Sequence, residues 1–265
     1  MRGRFGAVLA MALLGPASAS AMPSSGPRET VDIQISTARP GASASFTYTA
    51  TYHAANDPHA DPPALRRIVI RPPKGTRIDT TVRPECRATD SDFKNQGDAA
   101  CPSASRIGAG WVKLKTLGLL TGIFDTTIYN APRQQAEIAQ SGGHTFGVAR
   151  TYVRADGSAD GPVPTCLTGG SPPQGCPFDQ VALLSQSLTT RALSTGHGAR
   201  RRNYLTTQKT CPRSRRWRTP VTLYYADGTV ETVVTHQPCV RARAARSHRR
   251  PHPRFPDRTA GATRS

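Results

Sequence analysis

Hydrophobic and polar side chains alternate with period two along much of this chain. From Ser43 to Tyr52, Ala44, Phe46, Tyr48, Ala50 and Tyr52 fall on one side, and Ser45, Thr47, Thr49 and Thr51 on the other. That is the pleat of a strand with one wet face. Val31–Ser36 alternates in the same way, and Leu65–Arg71 reads as the next strand, ended by Pro72, Pro73 and a turn at Gly75. Trp111–Leu117 and Ile123–Tyr129 form a strand pair, and Thr145–Arg154 is a further strand. Val181–Leu193 alternates weakly and reads as a long strand, with a helix as the other reading. Val221–Tyr225 and Val230–Thr235 flank Asp227-Gly228, which predicts a hairpin through a type I′ turn.

Between Pro84 and Pro102 the alternation breaks. Thr89 or Asp90 caps a short helix running to Gln96, with Gly97 as its stop. Roughly nine or ten strands at this spacing predict a mostly β protein, an antiparallel β-sandwich over residues 30–240 with one short disulfide-pinned helix. A second β-subdomain from about residue 155 is the variant of that layout.

The six cysteines are Cys86, Cys101, Cys166, Cys176, Cys211 and Cys239. Six thiols allow about 15 pairings. Loop-closure entropy favours near neighbours, hence Cys86–Cys101, Cys166–Cys176 and Cys211–Cys239. The predicted hairpin supports the third pair by bringing its two ends together. No C-x-x-C is present, so zinc-ribbon spacing is missing.

The termini set the compartment. Arg2 and Arg4 lead an apolar run, Phe5–Leu14, followed by small residues to Ala21. This layout predicts a signal peptide over residues 1–21 and a secreted or envelope-associated protein. No later apolar run reaches the ~20 residues of a membrane-spanning helix. The end of the chain, 241–265, carries eight arginines and one acid and predicts a disordered tail.

Lys and Arg number 35 against 17 Asp and Glu, a net charge of +18. A field of that sign attracts anionic envelope polymers, lipid surfaces or nucleic acid. Arg200, Arg201 and Arg202, with Arg213, Arg215, Arg216 and Arg218, form the candidate anion-binding cluster. Trp217 stands among them, either as an exposed platform that stacks on sugars or bases or as a cap on the hairpin edge.

The stretch from Ile70 to Thr76 (IRPPKGT), the Pro84-Glu85-Cys86 triplet and the stretch from Ala100 to Gly110 (ACPSASRIGAG) carry a resemblance. They are similar to a family of secreted actinobacterial proteins with a P-x-C … ACP-x-x-S-x-x-G-x-G pattern and no assigned activity. The Cys-Pro at 211 and the hairpin ending at Cys239 fit the same pattern. The resemblance implies export and a β architecture and brings no catalytic residues. The chain departs from the family in having Arg71 and Pro72 at a usual Leu-Pro and in its arginine-rich tail.

Catalytic motifs are sparse. There is no G-x-S-x-G, H-E-x-x-H or P-loop. Gly108 and Gly110 read as a bulge or tight strand, and no cofactor is implied. His53, Asp57, His59 and Asp61 fall within nine residues and suit a divalent metal, against the reading of a solvated polar loop. Asp125, Glu137, Asp156, Asp160, Asp179 and Glu231 are the acids from which a glycosidase would draw facing carboxylates; His144 and His236 are the candidate bases. The expected function is therefore non-catalytic binding of an anionic envelope polymer outside the cytosol. An extracellular glycan hydrolase and a nucleic-acid binder are the alternatives.

Overall fold

The computed structural model describes residues 23–117 and 120–240. The signal peptide and the tail expected from the sequence lie outside the described residues. The strands, in chain order, are β1 (Ser24–Ser25), β2 (Glu29–Ile35), β3 (Phe46–Tyr52), β4 (Leu65–Ile70), β5 (Arg77–Ile78), β6 (Arg106–Thr116), β7 (Leu120–Ala131) and β8 (Gln134–Ser141). They continue with β9 (His144–Val153), β10 (Ala159–Pro162), β11 (Val181–Thr190), β12 (Ser194–Thr195), β13 (Arg202–Asn203), β14 (Leu205–Thr206), β15 (Arg216–Tyr225) and β16 (Val230–Pro238). The helix α1 spans Asp90–Gln96.

Twelve strands form one sheet, antiparallel at every junction, in the order β1-β2-β3-β11-β6-β7-β8-β9-β10-β4-β15-β16. The sheet is nearly closed into a barrel, which corrects the expected sandwich. Its first and last strands come back together. Ser24 Oγ donates to the Val234 carbonyl at 2.9 Å, and Gln237 Nε2 donates to the Ile33 carbonyl. The seam is bridged by side chains, and no backbone ladder joins β16 to β1 or β2 among the described residues. The strands after residue 155 are interleaved with the earlier ones, β11 between β3 and β6 and β10 between β9 and β4.

The β3 alternation places Phe46 and Tyr48 inside. On the outer face Thr47 and Thr49 meet Thr189 and Ser187 of β11 at 2.9 and 3.0 Å, cross-strand hydroxyl pairs. Gly108 and Gly110 of β6 are required by the same neighbour. A Cβ at either position would overlap the Thr189 or Ser187 carbonyl. A register shift between Arg106 and Gly108 marks the bulge.

All three disulfides join sequential cysteines, with Cα–Cα distances of 5.2, 5.7 and 5.6 Å. The first pins α1. Thr89 and Asp92 make a reciprocal capping box, and Gly97 ends the helix at φ 57°. Phe93 drops from α1 into an outer cluster with Tyr129, Ala136, Ile138 and Val148. Asn130 ties down the preceding loop, its Nδ2 donating to the carbonyls of Thr80, Arg83 and Pro84 at 2.8–3.1 Å.

The final hairpin turns differently from the expectation. Gly228 has φ 84°, whereas Asp227 is not among the residues with positive φ that a type I′ turn requires. Gly228 N–H bonds the Tyr225 carbonyl at 3.1 Å and Tyr225 N–H the Thr229 carbonyl at 2.9 Å, a type I turn with a glycine bulge. Arg28 reaches across to Asp227 at 2.7 Å, so this turn also serves barrel closure. Among the described residues no helix is long and apolar enough to cross a membrane.

Candidate functional site: an apolar cavity with one carboxyl

The barrel interior is filled unevenly. Toward β2, β3, β15 and β16 it is packed by Val31, Ile33, Tyr48, Val221, Leu223 and Val233. Toward β8, β9 and β10 the inward positions carry Ala139, Gly147, Ala149, Ala159 and Gly161, whose side chains are too small to reach the far wall. The result is a cavity of about 190 Å³. Ile68, Ile70, Val112, Leu114, Leu183 and Leu188 supply much of its wall. Tyr204 and Leu205 belong to a cluster at one end, where Leu205 of β14 pairs with Ile78 of β5.

One carboxyl lines this space. Glu137 on β8 is the only acid among the lining residues, and no Lys, Arg or His stands with it. Thr151 Oγ1 on β9 donates to Glu137 Oε1 at 3.0 Å. Burial pushes the Glu137 carboxyl up to about 7, and the Thr151 hydrogen bond only partly offsets this. Other polar groups in the wall are partly committed. Gln186 Nε2 donates to Tyr52 OH at 2.9 Å, and Gln135 Nε2 to Tyr204 OH at 3.2 Å.

A second carboxyl site closes the barrel seam. Glu29 of β2 is fully buried and accepts from Tyr225 OH at 2.8 Å. Burial and the neighbouring Glu231 push Glu29 up, while Arg28 sits 3.3 Å from Glu231.

The candidate residues read from the sequence are placed as follows. Asp160 is bridged by Arg67 and Arg154 at 2.7 and 2.8 Å, which hold its carboxyl down at about 2. Asp179 pairs with Arg66, and Asp156 caps Ser158. Asp125, His144 and His236 are exposed. None of these acids or histidines lines the cavity with Glu137, so no facing pair of the glycosidase kind is assembled there. A separate polar cleft on the outer face includes Asp98, Arg106 and Asp125, with Asp98 bound to Tyr129 OH at 2.8 Å.

His53, Asp57, His59 and Asp61 are not gathered. His53 Nδ1 lies 2.7 Å from its neighbour's carbonyl, Asp57 accepts the His59 amide at 2.8 Å, and Asp61 pairs with Lys115. Among the described residues no group of three or more His, Cys, Asp or Glu is placed to hold a metal. Arg200, Arg201, Arg213, Arg215, Arg216 and Arg218 are exposed, and Arg202 pairs with Asp79 at 2.7 Å. Trp217 corrects the expectation of an exposed platform. It is 2% exposed and packs against the Cys211–Cys239 bridge. On β15 it alternates with outward arginines, so the ring points into the fold.

Glu137 stood in the sequence only as one scattered acid. Its strand, QQAEIAQS, carries no inward-apolar signal because its alternation is inverted: Ala136 and Ile138 face outward under α1, and Gln135 and Glu137 face inward. No family model, curated protein or solved structure matches the chain.

Proposed function

We propose that this protein is a non-catalytic extracellular binder that holds a small apolar ligand inside its barrel. The observation that carries the reading is the cavity of about 190 Å³. A ligand filling the space would take the apolar wall of Ile68, Ile70, Val112, Leu114, Leu183 and Leu188 out of water, worth on the order of 25 cal/mol per Å² covered. The cavity volume is more than ten times the ~10–15 Å³ that one water needs, and ~150 Å³ already admits benzene in an engineered cavity. Three disulfides fit an oxidising compartment and thus the expected export.

The test is a titration of the ¹⁵N-labelled protein with toluene. Amide shifts are expected at Ala139, Gly147, Ala149, Gly161 and Leu183, and a Gly147→Leu variant that fills the cavity abolishes them. Unchanged spectra at saturating toluene, or shifts that persist in Gly147→Leu, overturn the reading.

A second reading, binding of an anionic envelope polymer, is favoured by one observation. Arg213, Arg215, Arg216 and Arg218 are exposed and have no acidic partner among the described residues. Binding to immobilised polyphosphate should weaken steeply between low and moderate salt and fall in a variant with these four changed to Gln. Equal retention of the two proteins excludes this patch.

A further inference from the structure

The chemistry of the cavity wall selects among apolar ligands. The wall contains one acid and no base. Glu137 Oε1 is taken by the Thr151 hydroxyl, and no bond from the described residues occupies Oε2. Gln135 and Gln186 both spend amide N–H on tyrosine hydroxyls, so the groups they have left for a ligand include carbonyl oxygens. The site is thus rich in acceptors and negative in sign. A carboxylate ligand such as a fatty acid would bring a second negative charge to a low-dielectric space already holding a carboxyl, and like charges there repel strongly. A hydrocarbon can fill the space but leaves the second carboxyl oxygen without a partner, so it forgoes part of the available affinity. A protonated amine supplies both missing things: a donor for the open oxygen and a charge opposite to that of Glu137.

We propose that the cavity takes a small apolar amine, bound as its ammonium with Glu137 as counter-ion, Thr151 holding the carboxyl in place. This rests on the interior being a ligand site, as argued above. Thr151 acts as a positioning residue, set by Gly161 of β10. A Cβ at Gly161 would come within 2.8 Å of Thr151 Oγ1, so glycine leaves the hydroxyl its room to reach the carboxyl. Proton accounting is simple. The ammonium enters with its proton, a protonated Glu137 releases its own to solvent as the pair forms, and below the range where the carboxyl ionises the pair is not formed.

Benzylamine, benzyl alcohol, benzoate and toluene test this, being similar in body and different in head group. Binding is read from the amide shifts of the cavity strands and from calorimetry. Benzylamine is expected to bind at least ten-fold tighter than benzyl alcohol at pH 8, and benzoate not at all. In Glu137→Gln the amine preference should vanish while toluene binding is kept, which also shows that the variant is folded. Thr151→Val should reduce the amine preference and leave toluene unaffected. If toluene enters but the amine holds no advantage, or Glu137→Gln keeps that advantage, the amine assignment is overturned and the cavity reading stands. Tighter benzoate binding would reverse the assignment to an anion. If none of the four perturbs the cavity amides, both readings fall.

Discussion

A single carboxyl can set the pH response of this interior. Glu137 is held at about 7 in the fold by burial, against about 4.3 in an unfolded chain. Because the folded carboxyl keeps its proton longer, the favourable contribution is complete below about pH 4 and is lost as pH rises toward 7. The loss is at most about 4 kcal/mol. Glu137→Gln, which keeps the shape and removes the charge, should therefore match the parent in urea midpoint near pH 4.5 and exceed it at pH 8. A parent that gains stability over that interval relative to the variant would contradict the assignment. Glycines act at the same scale with opposite outcomes. Gly110→Ala forces a methyl against the Ser187 carbonyl and should cost ~1–3 kcal/mol. Gly147→Ala places its methyl 3.9 Å from that of Ala139, an ordinary contact that narrows the cavity. Thermal unfolding of the two variants should show a clear loss for the first and little or none for the second.

At the scale of elements, legibility followed how local the cause was. The strand at Phe46–Tyr52 was readable because its apolar face is inside and its threonine face meets neighbouring hydroxyls, so one side of the pattern is polar throughout. The helix was readable from Thr89, Asp92 and Gly97, whose capping bonds are local. The disulfide pairs followed from loop length. The strand Gln134–Ser141 was hidden because α1 covers its outer face and the cavity faces its inner one, a tertiary inversion that no local pattern encodes. Trp217 follows the alternation of its own strand: arginines on either side mark the outward positions, and the residue between them points inward. The covering helix offers its own test. Cys86 and Cys101 are 15 residues apart, and removing the bridge by a Cys86→Ala, Cys101→Ala double change should cost about 3 kcal/mol through loop entropy. Hydrogen exchange should accelerate first at Phe93 and Gly97, ahead of β6 and β7. Uniform acceleration across the sheet would mean that the bridge braces the barrel and not the helix.

For the whole molecule, the decisive event is closure, which joins residues some 200 positions apart: Glu29 to Tyr225, Arg28 to Asp227 and Gln237 to Ile33. Period-two alternation serves a sandwich and a barrel equally, so closure is not written in the pattern. It depends on whether β16 meets β1 and β2. The seam contains its own titrating element. Glu29, pushed up by burial and by Glu231, keeps its proton in the folded state at pH values where an unfolded carboxyl has lost it. Neutral Glu29 accepts from Tyr225 and brings no second negative charge beside Glu231. Raising the pH removes that proton and sets two carboxylates side by side. The stabilising contribution, intact below about pH 4, is thus lost as pH rises. Glu29→Gln keeps a carbonyl acceptor for Tyr225 and stays uncharged at every pH. Its unfolding free energy should equal the parent's near pH 4.5 and surpass it at pH 8, with faster exchange of β1 and β16 amides in the parent alone at the higher pH. Asp160 and Asp227, each held at about 2 by arginine, keep their own contributions throughout this interval, so the difference isolates the seam. A Glu29→Gln protein that is less stable than the parent at pH 8 would show that the seam needs the charge and that Glu29 is ionised in the closed barrel.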